Sequence, residues 1–277
     1  MRVELHCHST YSDGTVAARE VARRAGERGV ELFCLTDHDT VAGYDETLGE
    51  LGDQCNVLRG LELSCRAAEQ TIHLLIYGVQ DGPGLEALND RLRIVNGDRR
   101  TRIVMICERL AKLGIDLDPE PILAKAVGRT PGRPDVARAL MEAGVVKRFK
   151  EAFERFLRDG GPAYVAVDRI TLEEGLALGR AAGARMSLAH PHTIDSYALV
   201  RDFFVRLRGE GLEGIEALYG RYGRAEARGW LMLADELDLV VTGGSDFHGD
   251  IMPEVSRPGI ELPEPHAARL CDWLGLR

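Results

Sequence analysis

Lysine is scarce in this chain. Its four lysines, at 112, 125, 147 and 150, all fall in one middle segment. The six cysteines, at 7, 34, 55, 65, 107 and 271, show no C-x-x-C spacing. That excludes a zinc ribbon or a thioredoxin-type redox site. A chain of 277 residues buries an ample core without disulfides, so these cysteines read as free thiols in a reducing compartment. Long apolar runs are missing too. The charge-free stretch over residues 71–80 is far short of the roughly 20 residues that span a bilayer. No secretory apolar region opens the chain, which runs from Met1 straight into a strand-like segment. These absences predict a cytoplasmic protein, with no membrane association and no stable protein partner.

The composition is that of a globular protein: 45% hydrophobic and 29% charged, which argues against disorder. The net charge of −9 argues against a generic nucleic-acid binder. That average conceals an asymmetry. Residues 91–164 carry a net +6, and the remainder carries −15. An anionic ligand is expected to approach the basic segment.

Seven short apolar runs read as strands: residues 3–5, 30–35, 56–63, 71–79, 185–189, 214–218 and 237–242. Helical patterns separate several of them, as in residues 16–28, which Gly29 ends. This alternation predicts parallel β/α architecture. The basic segment interrupts it with helical patterns at residues 92–113, 134–142 and 148–158, and Asp159-Gly160-Gly161-Pro162 breaks the last. The expected organisation is a barrel from residues 1–90 and 165–277, with a helical, basic insertion at 91–164 acting as a substrate cap.

The histidines carry the functional signal. Of eight, His6, His8, His38, His73, His190 and His248 fall at or just beyond a predicted strand, and His192 stands beside His190. Barrels of β/α type build their active sites at the C-terminal ends of strands. In His6-Cys7-His8, strand alternation puts both imidazoles on one side and Cys7 on the other. Thr36-Asp37-His38-Asp39 follows a strand directly, and such a run is costly to bury without partners. Glu62 stands near a strand end, His73 within a strand, and Asp246 and His248 repeat the i, i+2 spacing. Together His6, His8, Asp13, His38, Glu62, His73, His190, Asp246 and His248 offer nine N/O donors. That exceeds one tetrahedral site and suits two or three ions of zinc, iron or manganese.

In this order, H-x-H, T-D-H-D, the mid-chain Glu62, the lone His73, Ala189-His190-Pro191 and Gly244-Ser245-Asp246-Phe247-His248 resemble the polymerase-and-histidinol-phosphatase (PHP) family over nearly the whole chain. The resemblance implies a distorted (β/α)7 barrel with three divalent metal ions, Mn²⁺ foremost, with Fe²⁺ or Zn²⁺ as alternatives. It assigns His6, His8, Glu62 and Asp246 to the first ion. Asp13, His38 and His248 go to the second, and Glu62, His73 and His190 to the third. Asp37 would support the site without ligating.

Within the family, Ser12-Asp13-Gly14 and Gly132-Arg133-Pro134 resemble the branch of 3′,5′-nucleoside bisphosphate phosphatases and 5′-to-3′ exoribonucleases. That implies a nucleotide bisphosphate or short oligonucleotide substrate. Attack by a metal-bridging hydroxide on phosphorus is expected, in a site of formal charge about +2. His192 or water would protonate the leaving group. Arg99, Arg102, Arg129 and Arg133 would bind the rest of the substrate, since guanidinium forks suit phosphate. Three positions depart from the branch: Glu4 for its usual Asp, Cys7 for a hydroxyl residue, and Asp135 for the His after G-R-P. Asp135 would repel a phosphate that this His contacts. Histidinol-phosphate phosphatases tend to carry His where Asp13 stands, so that alternative is disfavoured. An amidohydrolase with a carboxylated barrel lysine is excluded by the missing lysine. A non-catalytic PHP module would have lost ligands, and none of the nine is missing.

Overall fold

The computed structural model describes residues 1–166, 169–194 and 196–276. In chain order the elements are β1 (Arg2–Glu4), α1 (Ala18–Glu27), β2 (Leu32–Leu35), α2 (Tyr44–Leu51), β3 (Asn56–Ala67), β4 (Gln70–Tyr77), α3 (Pro83–Lys112), α4 (Pro119–Ala124), α5 (Arg133–Glu142), α6 (Phe149–Ala152), β5 (Ile170–Thr171), α7 (Leu172–Ala181), β6 (Arg185–Leu188), α8 (Tyr197–Leu207), β7 (Leu212–Tyr219), α9 (Arg224–Leu237), β8 (Val240–Gly244), β9 (Ile260–Glu261) and α10 (His266–Leu274). Two compact units result, one from residues 1–90 with 169–277 and one from residues 91–168.

The first unit is built on one sheet in the order β8-β7-β6-β4-β3-β2-β1-β9, with β5 paired to β3. Beyond β1 and β8 the ends meet again: Cys7 bridges Phe247, and Asp246 N–H donates to His6 O at 2.7 Å. The sheet is therefore a nearly closed barrel. Gly244 permits the closure, because a Cβ there would fall on the backbone nitrogen of His6. Helix α1 buries Ala18, Val21, Ala22 and Ala25, a three-to-four spacing, against a core that includes Phe33, Leu51 and Phe247. Gly29, at φ +68°, ends it.

All seven expected strands are present, but they are not all parallel. β4 runs antiparallel to both β3 and β6. Only Ala68 and Glu69 join β3 to β4, too few for a crossover, so the two strands form a hairpin. β3 also extends to Ala67, which makes Glu62 a mid-strand residue. The two-residue strands β5 and β9 add edges that hydrophobic patterning did not reveal.

The second unit has its own core, with Ile103, Ile106 and Leu110 of α3 packed with Val136 and Leu140 of α5 and with Leu157. Val165, beyond the expected boundary, is buried in the same core. Ile94 faces solvent despite its place in the helical pattern. No helix among the described residues is long and apolar enough to cross a membrane, and all six cysteines are free.

Candidate metal centre

The polarity of the strands positions the site. β1, β2, β6, β7 and β8 bring their C-terminal ends to one rim of the barrel. His6 and His8 follow β1, His38 follows β2, His190 follows β6, and Asp246 and His248 follow β8. Because β4 is reversed, a residue in its N-terminal half reaches that same rim. His73 sits there, opposite Ser64 of β3. Glu62 reaches it from mid-β3, where the strand has parted from β2 and bridges His38 instead.

Glu62 is the hub. Its Oε2 lies 3.3 Å from His6 Nε2, 3.1 Å from His8 Nε2 and 3.2 Å from His38 Nδ1. Its Oε1 lies 2.7 Å from His73 Nδ1 and 2.9 Å from His190 Nε2. Asp246 Oδ1 is 3.4 Å from His6 Nε2 and 3.3 Å from His8 Nε2, while its Oδ2 accepts from Tyr219 Oη at 2.6 Å. Asp13 faces His248 Nε2 at 3.4 Å, His8 Nδ1 at 3.7 Å and His38 Nε2 at 3.9 Å. All nine residues singled out in the sequence thus converge. They fall into four overlapping sets whose donor atoms lie within 4.8 Å of one another: His8, Asp13, His38 and His248; His6, His8 and Asp246; His6, Glu62 and His190; His38, Glu62 and His73.

The electrostatics follow from this packing. Burial alone would raise the carboxyl pKa values, but the surrounding imidazoles hold Asp13, Glu62 and Asp246 well below the usual carboxylate range. Burial would depress His8, yet Asp246 and Glu62 push it up to about 10. At His38 burial prevails and the pKa drops to about 4.

The cluster also suits cations. His6 Nε2, His8 Nε2 and His38 Nδ1 are buried with no hydrogen-bond partner among the described residues. A buried polar atom in that condition is destabilising unless something else satisfies it. All three approach one oxygen of Glu62. Divalent ions held by imidazole and carboxylate would satisfy nitrogens and carboxylates together. The outer ring nitrogens are held in turn: His190 Nδ1 by Thr193 Oγ1 at 3.2 Å, and His248 Nδ1 by Asp246 O at 2.9 Å. Such outer bonds orient ligating histidines.

Asp37 stands behind the cluster. It accepts from Ser9 N at 2.7 Å, Ser9 Oγ at 2.6 Å and Ser12 Oγ at 2.5 Å, which fixes the loop leading to Asp13. Cys7 points into the apolar core. Buried Glu4 accepts the backbone N–H of His6 and of Ser245, both at 3.0 Å, so it fastens the exits of β1 and β8 together. The Asp39 carboxylate accepts from Ser64 N at 2.7 Å and so ties the loop after β2 to β3. His192 is exposed, its ring 6.1 Å from that of His190, with Nδ1 3.1 Å from Tyr222 Oη.

The four arginines lie apart in sequence, in the second unit, and have partners within it. Arg129 grips buried Asp135 with both terminal nitrogens, at 3.1 and 2.5 Å. Arg133 donates to Leu157 O at 3.0 Å and pairs with Asp159. Arg102 is buried over the Tyr164 ring, and Arg99 reaches Pro131 O at 3.5 Å. Asp135 also binds Arg138 and Gly132 N, both at 2.8 Å. Its charge is therefore neutralised inside the unit. Sequence reasoning missed Glu216 and Tyr219, both buried on β7. A charged residue in an otherwise apolar strand, Ile215-Glu216-Ala217, is the signal that marked His73 and was available here too.

Comparison with known proteins agrees with this geometry. The family described as "PHP domain" matches residues 4–111. A 3′,5′-nucleoside bisphosphate phosphatase of Chromobacterium violaceum is 29% identical over 89% of this chain and 87% of its own. A 5′-3′ exoribonuclease of Haemophilus influenzae is 31% identical over 89% of this chain and 90% of its own. A phosphoribosyl 1,2-cyclic phosphate 1,2-diphosphodiesterase of Eggerthella lenta is 31% identical over 94% and 98%. Among solved structures, an amidohydrolase from Chromobacterium violaceum with bound sulfate superposes with a TM-score of 0.87 at 27% identity, covering 98% of this chain and 96% of that one. With these motifs, this barrel and relatives matched along almost their full length, the chain belongs to the PHP-domain family.

Proposed function

We propose that the protein is a metal-dependent phosphoesterase acting on a phosphate ester of a nucleotide. Its substrate would be a 3′,5′-nucleoside bisphosphate, released as the 5′-nucleotide, or the 5′ end of a short RNA. The observation that carries this reading is the convergence of five imidazoles on the two oxygens of Glu62, flanked by the ionised Asp13 and Asp246.

The ligand sets proposed are those that the family resemblance implies, and the convergence of the nine donors supports them. His6, His8, Glu62 and Asp246 would hold one ion, and Asp13, His38 and His248 a second. Glu62, His73 and His190 would hold a third. Its support is that Glu62 Oε1 lies within 2.7–2.9 Å of both ring nitrogens, which are 3.2 Å apart. When bound, divalent ions supply Lewis acidity toward phosphoryl oxygens and make bound water acidic. The chain's part is to keep three carboxylates ionised and the ring nitrogens aimed inward. Exposed His192, beside His190, is the candidate proton donor to the leaving ester oxygen. Arg99, Arg102, Arg129 and Arg133 are the candidate contacts for the non-scissile part of the substrate, a role in which Arg129 and Arg133 would exchange Asp135 and Asp159 for phosphate oxygens.

The test is phosphate or nucleotide release with Mn²⁺ on four substrates: adenosine 3′,5′-bisphosphate, a 5′-phosphorylated RNA oligomer, a ribose 1,2-cyclic phosphate and histidinol phosphate. His38→Ala is the control. Turnover of either of the first two, abolished in the variant, is expected. Turnover of the cyclic ester alone would move the substrate class away from nucleotides. Turnover of histidinol phosphate alone would overturn the nucleotide reading.

A further inference from the structure

We propose that Glu216 is a positioning residue for the metal centre, one that controls the ions held by His6 and His190 but not the ion held by Asp13, His38 and His248. This rests on reading the cluster as a metal centre.

Glu216 lies on β7 between β6 and β8, paired with Thr242 and fully buried. The register of β7 against β8 shifts just after it, a local irregularity that re-aims side chains. Its two oxygens have separate tasks. Oε1 stands 2.8 Å from His6 Nδ1. A carboxylate there selects the tautomer that carries the proton on Nδ1, and the lone pair on Nε2 is left facing Glu62 and Asp246. Oε2 accepts the backbone N–H of His190 at 2.7 Å. His190 needs such an anchor, because its backbone sits at φ +24°, ψ 64°, where a non-glycine residue is strained. One buried carboxylate thus sets a ring on β1's exit and a backbone on β6's exit. The remaining set is held by other groups: His248 by Asp246 O, and the Asp13 loop by Asp37 through Ser9 and Ser12.

An ordinary buried polar contact would affect stability without choosing among ions. Glu216→Gln separates the cases. The carboxamide keeps the shape but has one acceptor oxygen, so its NH₂ must face one of the two donors. After Mn²⁺ loading and gel filtration, ion content and affinity would be measured for the wild type and the variant. Electron paramagnetic resonance would report spin coupling between neighbouring ions. The expected result is one tight ion retained, the others weakened about 10- to 100-fold, and the coupled signal replaced by that of an isolated ion. Ser187→Ala, which removes the buried 2.7 Å bond to Thr242 on the neighbouring strands, should keep the full complement. Unchanged content in Glu216→Gln overturns the proposal, and so does equal loss of every ion. If the glutamine variant does not fold, Glu216→Asp, too short to reach both donors, should show the same selective loss, and a full complement there overturns the proposal. A wild type that takes up no ion overturns the metal reading itself, an outcome distinct from the others.

Discussion

The two units both collect charge, but they use it differently. In the barrel, three carboxylates and six imidazoles crowd into one buried cluster, and three ring nitrogens have no hydrogen-bond partner among the described residues. In the insertion, cation and anion close on each other locally: Arg129 on Asp135, Arg133 on Asp159, Lys125 on Glu142 and Arg155 on Glu151. The first arrangement is one that divalent cations would complete. The second is a finished scaffold. A run of charge in sequence does not tell these apart, and the pairing does.

The hardest blow to this contrast is Glu62→Gln. It removes a charge touched by five imidazoles, so ions and rate should fall together. A loss of several kcal/mol in transition-state stabilisation corresponds to at least about a 1,000-fold drop in kcat. Metal analysis beside steady-state kinetics checks it. A variant with full metal and full rate would leave the cluster a structural network only. Next comes Asp135→Asn in the insertion. Breaking a buried charge pair there should lower stability by about 3 kcal/mol in urea unfolding, while Mn²⁺ content stays at the wild-type value. Loss of metal would join two regions that the contrast keeps separate. Third, Mn²⁺ at a hundred times its dissociation constant should stabilise the barrel by about 2.7 kcal/mol for each site filled, and EDTA should reverse this. Hydrogen exchange should localise the gain to the residues around Glu62 and spare the core under α5.

Much of the cluster was legible because its parts are local. His6 and His8, or Asp246 and His248, declare themselves by two-residue spacing at strand ends. His73 was visible as a lone imidazole in an apolar strand, but its role depends on the reversal of β4, which the tight Ala68-Glu69 connection encodes only weakly. Glu216 carried the same signal as His73 and went unread, since nothing nearby in sequence pointed to a partner 210 residues away. β5 and β9 were illegible for another reason. Two residues hold no periodicity, and pairing with β3 and β1 alone makes them strands. The insertion's arginines were legible as basic, but their engagement in local ion pairs was not. Asp135 stands only six residues from Arg129, but Asp159 is brought to Arg133 by the packing of α5 against the segment after α6.

The smallest expected effect sharpens the contrast most. Lys125 Nζ lies 2.7 Å from Glu142 Oε2, and His73 Nδ1 lies 2.7 Å from Glu62 Oε1. The distances are equal and the surroundings are not. Both partners of the first pair are 62% exposed, whereas Glu62 is 1% exposed. Water and salt screen the exposed pair, and two long side chains lose freedom in forming it. Lys125→Ala should therefore change unfolding free energy by less than about 0.5 kcal/mol and leave metal content untouched. His73→Ala should deplete bound metal. If Lys125→Ala proves as damaging as Asp135→Asn, burial is not what separates the two kinds of pairing, and the barrel nitrogens without a hydrogen-bond partner among the described residues lose their meaning as a sign of bound ions.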